Sequence, residues 1–205
     1  MSRFVFSLPL FFALRLAMAG NSIEFSASDH SFNGEGVVYH RLIFKDEARE
    51  IFYQPPTGWT CHLIENGLRI VPPEKTMAEG KLESFAIDKP VALDAKGFEN
   101  FQQRVIATLP ADSQGVAVIK QEQNGFFVNN IAVAEVVVSY NAFGETFERG
   151  VVLLNASANQ TRFQFTARKR EFDALYRAFR TSIMSWEWQP GELASTDHVA
   201  PAAAQ

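Results

Sequence analysis

The feature that most restricts what this chain can fold into is a pair of neighbouring strand candidates that are apolar on both faces. Residues 131–140 read Ile-Ala-Val-Ala-Glu-Val-Val-Val-Ser-Tyr. After a turn at Asn141-Ala142-Phe143-Gly144 comes a second strand candidate over 145–155, which contains Val151-Val152-Leu153-Leu154. Side chains alternate between the two faces of a strand, so a strand with one wet face shows polar residues at every second position. A run that is apolar at nearly every position needs cover on both sides. This hairpin is therefore expected in the middle of a sheet, with layers above and below it.

One residue breaks the pattern. Glu135 interrupts the first of these strands, and a buried unpaired carboxylate costs several kcal/mol unless it is neutralised or paired. The simplest partner is Arg149 on the neighbouring strand, which a plain hairpin could bring across as a structural ion pair. The other reading makes Glu135 part of a binding site, with Arg149 and His62 as the remaining low-rank ligand-binding candidates.

The flanking sequence supplies the layers. Asp94 can cap a helix whose Phe98, Phe101, Val105 and Leu109 recur at helical spacing and which Pro110 ends. A longer helix is expected over 169–186, with Phe172, Leu175, Tyr176, Phe179, Ile183 and Trp186 along one stripe. Asn66-Gly67, set between 59–65 and 68–71, suggests a type I′ hairpin, and Pro72-Pro73 ends it. Further strands are expected near 81–87, 116–121 and 161–167, the last with Phe163 and Phe165 on one side. Asn124-Gly125 and 157–160 read as turns, and Gly34 to Gly36 as a turn before Val37-Val38-Tyr39. Single cysteine Cys61 shares the period-two face of Trp59 and Leu63, which suits a small core residue better than a reactive nucleophile.

The amino terminus carries a targeting signal by pattern. Arg3 precedes an apolar run over 4–14, and Ala17-Met18-Ala19 offers small residues before a cut between Ala19 and Gly20. As a helix that run rises only about 16 Å, short of a hydrocarbon core. Arg15, late in the stretch, is atypical. The expected organisation is a signal peptide over 1–19, one α+β domain over 20–188 and a disordered tail over 189–205, whose Ala and Pro content leaves little to bury. Loss of 1–19 removes Arg3 and Arg15 and no acid, taking the formal charge from −4 to −6. That disfavours a nucleic-acid partner, and no stable membrane span is expected after cleavage.

The corner Tyr53-Gln54-Pro55-Pro56-Thr57-Gly58-Trp59, the central hairpin, and the closing pattern Phe172-Asp173-Ala174-Leu175-Tyr176 with Phe179 and Ser182-Ile183 resemble the Mog1/PsbP-like group, which includes PsbP proteins and DcrB-type bacterial envelope proteins. The resemblance spans most of residues 50–188. It implies an α+β fold with an antiparallel sheet covered by helices in a three-layer α/β/α sandwich. It also implies a role in binding or assembly without shared catalytic residues.

Motifs for chemistry are missing: there is no serine nucleophile elbow, paired-histidine zinc motif, phosphate loop or dinucleotide fingerprint. His30, His40 and His62 with Asp29, Glu47 or Glu50 show no recognised metal-ligand spacing, so neither a metal nor another cofactor is expected. Asn155 and Asn159 begin glycosylation sequons that matter only in a eukaryotic secretory route. The leading expectation is an exported protein, periplasmic or secreted, that binds or helps assemble another envelope protein without catalysis. The alternative is a small-ligand-binding protein or hydrolase with a loop-assembled site drawing on Glu135, Arg149 and His62.

Overall fold

The computed structural model describes residues 24–34, 37–46, 49–86, 93–128, 130–155 and 159–190. The expected signal peptide and its cleavage point, residues 35–36 and 157–158 of the expected turns, Glu47, and residues 191–205 of the expected tail lie outside the described residues, while Asn159 and Gln160, expected in a turn, begin a strand.

Eleven strands and two helices are described. They run β1 (Glu24–Gly34), β2 (Val37–Asp46), β3 (Arg49–Tyr53), β4 (Thr60–Ile64), β5 (Gly67–Val71), β6 (Glu79–Ala86), α1 (Ala95–Ala107), β7 (Gln114–Val128), β8 (Ile131–Ala142), β9 (Glu145–Asn155), β10 (Asn159–Arg168), α2 (Lys169–Ile183) and β11 (Glu187–Pro190). A seven-stranded sheet has the order β4-β5-β6-β10-β9-β8-β7, and a four-stranded sheet the order β1-β2-β3-β11. All described pairings are antiparallel.

The large sheet is two meanders joined where β6 pairs with β10. The chain leaves β6 inside the sheet and must re-enter at β7, the far edge. Helix α1 makes that crossing over one face. Its Phe101 and Val105 bury against Ala134, Val136, Val138, Val151 and Leu153. Asp94 caps it as expected, with Oδ1 accepting from the Gly97 N–H at 2.8 Å.

The opposite face carries Val133, Val137, Val152, Leu154, Phe163 and Phe165, which meet Phe172, Tyr176, Phe179 and Ile183 of α2. Two glycines permit the close approach. A Cβ at Gly150 would lie 2.3 Å from the Tyr176 ring, and one at Gly80 would lie 2.7 Å from Phe179. The central hairpin is thus covered on both sides, as its double apolarity requires.

The mainly antiparallel α+β character agrees with the sequence expectation, but the sheets dominate. The side of α2 is not a helical layer alone, because the four-stranded sheet adds Leu42, Phe44, Ile51 and Tyr53 to the same core. Trp186, 1% exposed, joins the two parts, with its ring 6.1 Å from Phe44, 6.2 Å from Tyr53 and 5.4 Å from Phe163. Helix α2 ends at Ile183, before Trp186, and β11 then pairs with β3. Gln189 and Pro190, assigned by sequence to the tail, are the end of that strand.

Two turns differ from expectation. In the β4–β5 hairpin, Ile64 pairs with Gly67, so the loop is Glu65-Asn66, and neither residue has the positive φ of a type I′ turn. Gly67 is needed for another reason: a Cβ there would overlap the Leu82 carbonyl of β6. Asn124-Gly125 is not a turn but a bulge within β7, with Asn124 at φ 60°. The turn with two positive φ values is Phe143 (53°) and Gly144 (75°), between β8 and β9.

Candidate functional site

The expected ion pair between Glu135 and Arg149 does not form. In the register of β8 and β9, Glu135 faces Val152 and Arg149 faces Val138, two positions that belong to opposite faces of the sheet. A pairing read from adjacent strands fails when the residues differ in parity, because one step along a strand turns a side chain through the sheet.

Glu135 lies on the α2 face and is 0% exposed. Tyr176 donates its hydroxyl to Oε1 at 2.9 Å, while Arg180 Nε and Lys120 Nζ donate to Oε2 at 3.0 and 3.1 Å. Glu122, directly opposite Glu135 on β7, forms an ion pair with Lys120 at 3.3 Å and lies 3.8 Å from Arg180. Two carboxylates thus alternate with two cations, and Arg180 also lies 4.2 Å above the Phe126 ring. Burial, with Glu135 beside it, holds the Tyr176 hydroxyl well above the ordinary tyrosine range, which suits a hydrogen-bond donor. Both Glu135 oxygens are engaged, so the group works as a structural link between β8, β7 and α2. Tyr176 and Arg180 are four residues apart on one helix face. Arg180, at the margin of the apolar stripe, was the overlooked signal.

His62 is exposed on β4, an edge of the large sheet, across from Arg69. Cys61 is half-buried and packs against the core with Trp59, whereas Leu63 is 56% exposed. His30 and His40 lie on β1 and β2; their side chains are outside the described set. Among the described residues no group of three or more His, Cys, Asp or Glu could hold a metal ion. The three candidates Glu135, Arg149 and His62 do not converge.

Arg149 instead lies at a surface groove. Helix α1 covers β8 and β9 and reaches the edge of β10, and among the described residues no further element covers the same face of β5 and β6; that half carries the exposed Arg69 and the half-buried Lys81, Glu83, Arg162, Gln164 and Thr166. Between this open half, the loop over 72–78 and the β8–β9 turn is a depression of about 480 Å³, which Arg149, Tyr140, Phe143, Phe147, Lys75 and Met77 help to line. A smaller cavity of about 60 Å³ under α1 shares Gln164 with it.

The guanidinium is fixed from both sides. Nε donates to Thr166 Oγ1 at 2.9 Å, and Nη1 donates to the carbonyl and hydroxyl of Thr108 at 2.5 and 3.0 Å. Thr108 is the C-cap of α1, where a cation meets the negative end of the helix dipole. The Tyr140 ring lies 5.8 Å away. Burial lowers the guanidinium pKa, with Tyr140 opposing, and the group stays charged at any physiological pH. Every hydrogen-bond acceptor described for Arg149 is neutral.

A second depression, about 570 Å³, lies between the Pro55-Pro56 corner and the outer side of α2. Its serines are spent on the fold: Ser185 accepts from the Gln54 N–H at 2.8 Å, and Ser182 bonds the Tyr53 hydroxyl at 2.8 Å.

No protein-family model matches the chain, and no curated protein matches it. Among solved structures, the solution structure of cyanobacterial PsbP (CyanoP) from Synechocystis sp. PCC 6803 superposes with a TM-score of 0.54 at 13% identity, covering 77% of this chain and 97% of that one. LpqN, described as involved in cell envelope biogenesis of Mycobacterium tuberculosis, gives a TM-score of 0.46 at 13% identity over 80% of this chain and 91% of its own. The second value is too low to bear on the fold. The chain resembles PsbP in fold, and at 13% identity the likeness extends to the fold alone.

Proposed function

We propose that this is an exported protein, periplasmic or secreted, that binds or helps assemble another envelope polypeptide without chemistry of its own. Its working architecture is a three-layer Mog1/PsbP-like sandwich in which α1 covers only half of its side of the sheet. The observation that carries the reading is that uncovered half, with a depression of about 480 Å³ bordered by Phe143 and Met77, which are 72% and 38% exposed. Exposed large apolar groups gathered at one concavity mark an interaction surface more often than scattered ones do. The targeting pattern over 1–19 supports export. The loop-assembled hydrolase or ligand site loses its support, since Glu135 is paired in the core and His62 and Arg149 lie apart from it.

The test is chemical crosslinking of the tagged full chain in its native host, with an unrelated exported protein carrying the same tag as control. The expected result is a mature amino terminus at Gly20 and one polypeptide enriched above the control. Retention of Met1 in the cytosolic fraction would remove the export half of the reading, and no enriched polypeptide would remove the assembly half.

A further inference from the structure

We infer that the Arg149 groove is built to take an acidic segment of a partner polypeptide in which a carboxylate stands beside an aromatic or aliphatic side chain. This rests on the binding role proposed above and names the chemistry of its site.

Three observations carry it. The first is charge. Arg69, Lys75, Lys81 and Arg149 line the groove against a single carboxylate, Glu79. Glu79 is shared by Arg69 at 2.5 Å and Lys81 at 3.3 Å, and Lys75 reaches Glu171 at 3.0 Å. Arg149 has only neutral acceptors. Its counterpart across the sheet shows what full neutralisation looks like in this fold: Glu135 has two cations and a hydroxyl on its oxygens. A partly buried guanidinium, fixed in place by Thr108 and Thr166, has no carboxylate among its described hydrogen-bond partners, and Glu79, the acid that acts on it at longer range, is shared by Arg69 and Lys81. Its Nη2 lies outside those bonds and can donate to an incoming carboxylate.

The second is the Phe143-Gly144 turn. Both central residues have positive φ, which Asn, Asp and Gly adopt readily and which a bulky residue adopts at a cost. Phenylalanine at Phe143 is therefore not explained by the turn. Nor is it explained by burial, since it is 72% exposed.

The third is direction. The Phe143 ring stands edge-on to Phe147 at 6.4 Å, Phe147 stacks on Tyr140 at 5.9 Å, and Tyr140 lies against Arg149. The exposed ring is thus the outer end of an aromatic row that leads to the cation. A ligand spanning the row meets an apolar platform and then a positive charge, which is the order of an apolar side chain next to Asp or Glu.

The experiment is panning of a random peptide display library on the tagged full chain purified from its host, followed by affinity measurements on the Arg149→Met and Phe143→Asn variants. The expected result is enrichment of Asp or Glu adjacent to Phe, Tyr, Leu or Met relative to the input library. Selected peptides should lose about tenfold or more in affinity on each variant. Phe143→Asn keeps the test valid if Arg149→Met folds poorly, because asparagine suits the turn and that variant should melt no lower than the wild type. Selection without acidic enrichment, or equal binding to wild type and Phe143→Asn, would overturn the inference. Displacement of the peptides by micromolar phenylacetate would assign the groove to a free aromatic acid and equally overturn it. If a host polypeptide is recovered by crosslinking and binds both variants unchanged, the assembly role stands and this groove is not its site.

Discussion

Glu135 and Arg149 are two charged residues on one hairpin, and the sheet between them separates two uses of charge. On the α2 face, Glu135 is enclosed, and each oxygen has a donor from another element. On the α1 face, Arg149 is held by the end of a helix and by a threonine, and it borders an open groove. A charge closed in by opposite charges ties elements together. A charge held only by neutral acceptors retains its capacity to attract an anion. The difference comes from cover: α2 and β7 bring Tyr176, Arg180, Lys120 and Glu122 to one face, while α1 stops at Thr108 and leaves Gln164 and Thr166 on its side of β10 only half-buried.

Removing the enclosed charge should have the largest effect. Glu135→Ala should lower the unfolding free energy by about 3 kcal/mol, the low end for breaking a buried ion pair, since Lys120 and Arg180 keep 38% and 26% side-chain exposure and can rehydrate. Urea denaturation checks it, and a loss below about 1 kcal/mol would make the network no stronger than a surface pair. Gly150→Ala attacks the same face by geometry. Its methyl would displace the Tyr176 ring, costing about 2 kcal/mol as an overpacked core does, and fluorescence-detected unfolding should show it.

On the other face the effects should be smaller and of mixed sign. Arg149→Met should cost about 1 kcal/mol, because a helix-end hydrogen bond is lost while the penalty for a poorly compensated charge is relieved. A loss as large as that of Glu135→Ala would erase the contrast between the two residues. Phe143→Asn should raise stability by about 0.5 kcal/mol or more by relieving a strained φ, read as a higher melting temperature. A fall would mean that the ring contributes to the fold after all.

The smallest effect concerns pH. Glu148 lies on the α2 face, and burial raises its pKa, with Lys169 opposing. A raised carboxyl binds its proton more tightly folded than unfolded, so its contribution to stability falls as pH rises from the ordinary carboxylate value through the raised one. Glu148→Gln should flatten the stability–pH curve in that window. An unchanged slope would show that the carboxyl titrates as it does in the unfolded chain.

Much of the frame was legible residue by residue. The β8–β9 hairpin, the Asp94 cap, and the stripe of Phe172, Tyr176, Phe179 and Ile183 were all written in local periodicity, which depends only on the geometry of a single strand or helix. The four-stranded sheet was not. Its outer strand β11 is Glu-Trp-Gln-Pro, too short and too proline-marked to announce itself, and it exists because Trp186 anchors the chain beside β3. The glycines divide in the same way. Asn66-Gly67 marked a hairpin correctly, but the need for Gly67 came from the backbone of β6, a strand it does not adjoin in sequence.

Sequence alone thus determined the central hairpin and the two helices that cover it, that this hairpin must be covered on both faces, and that Glu135 needs a partner. Tertiary structure alone decided who that partner is and where the uncovered surface falls. Pattern within a segment fixes which residues point the same way. Which of two faces they share with a residue elsewhere depends on strand register and on where a crossing helix stops, and both are settled by the packing of the whole chain.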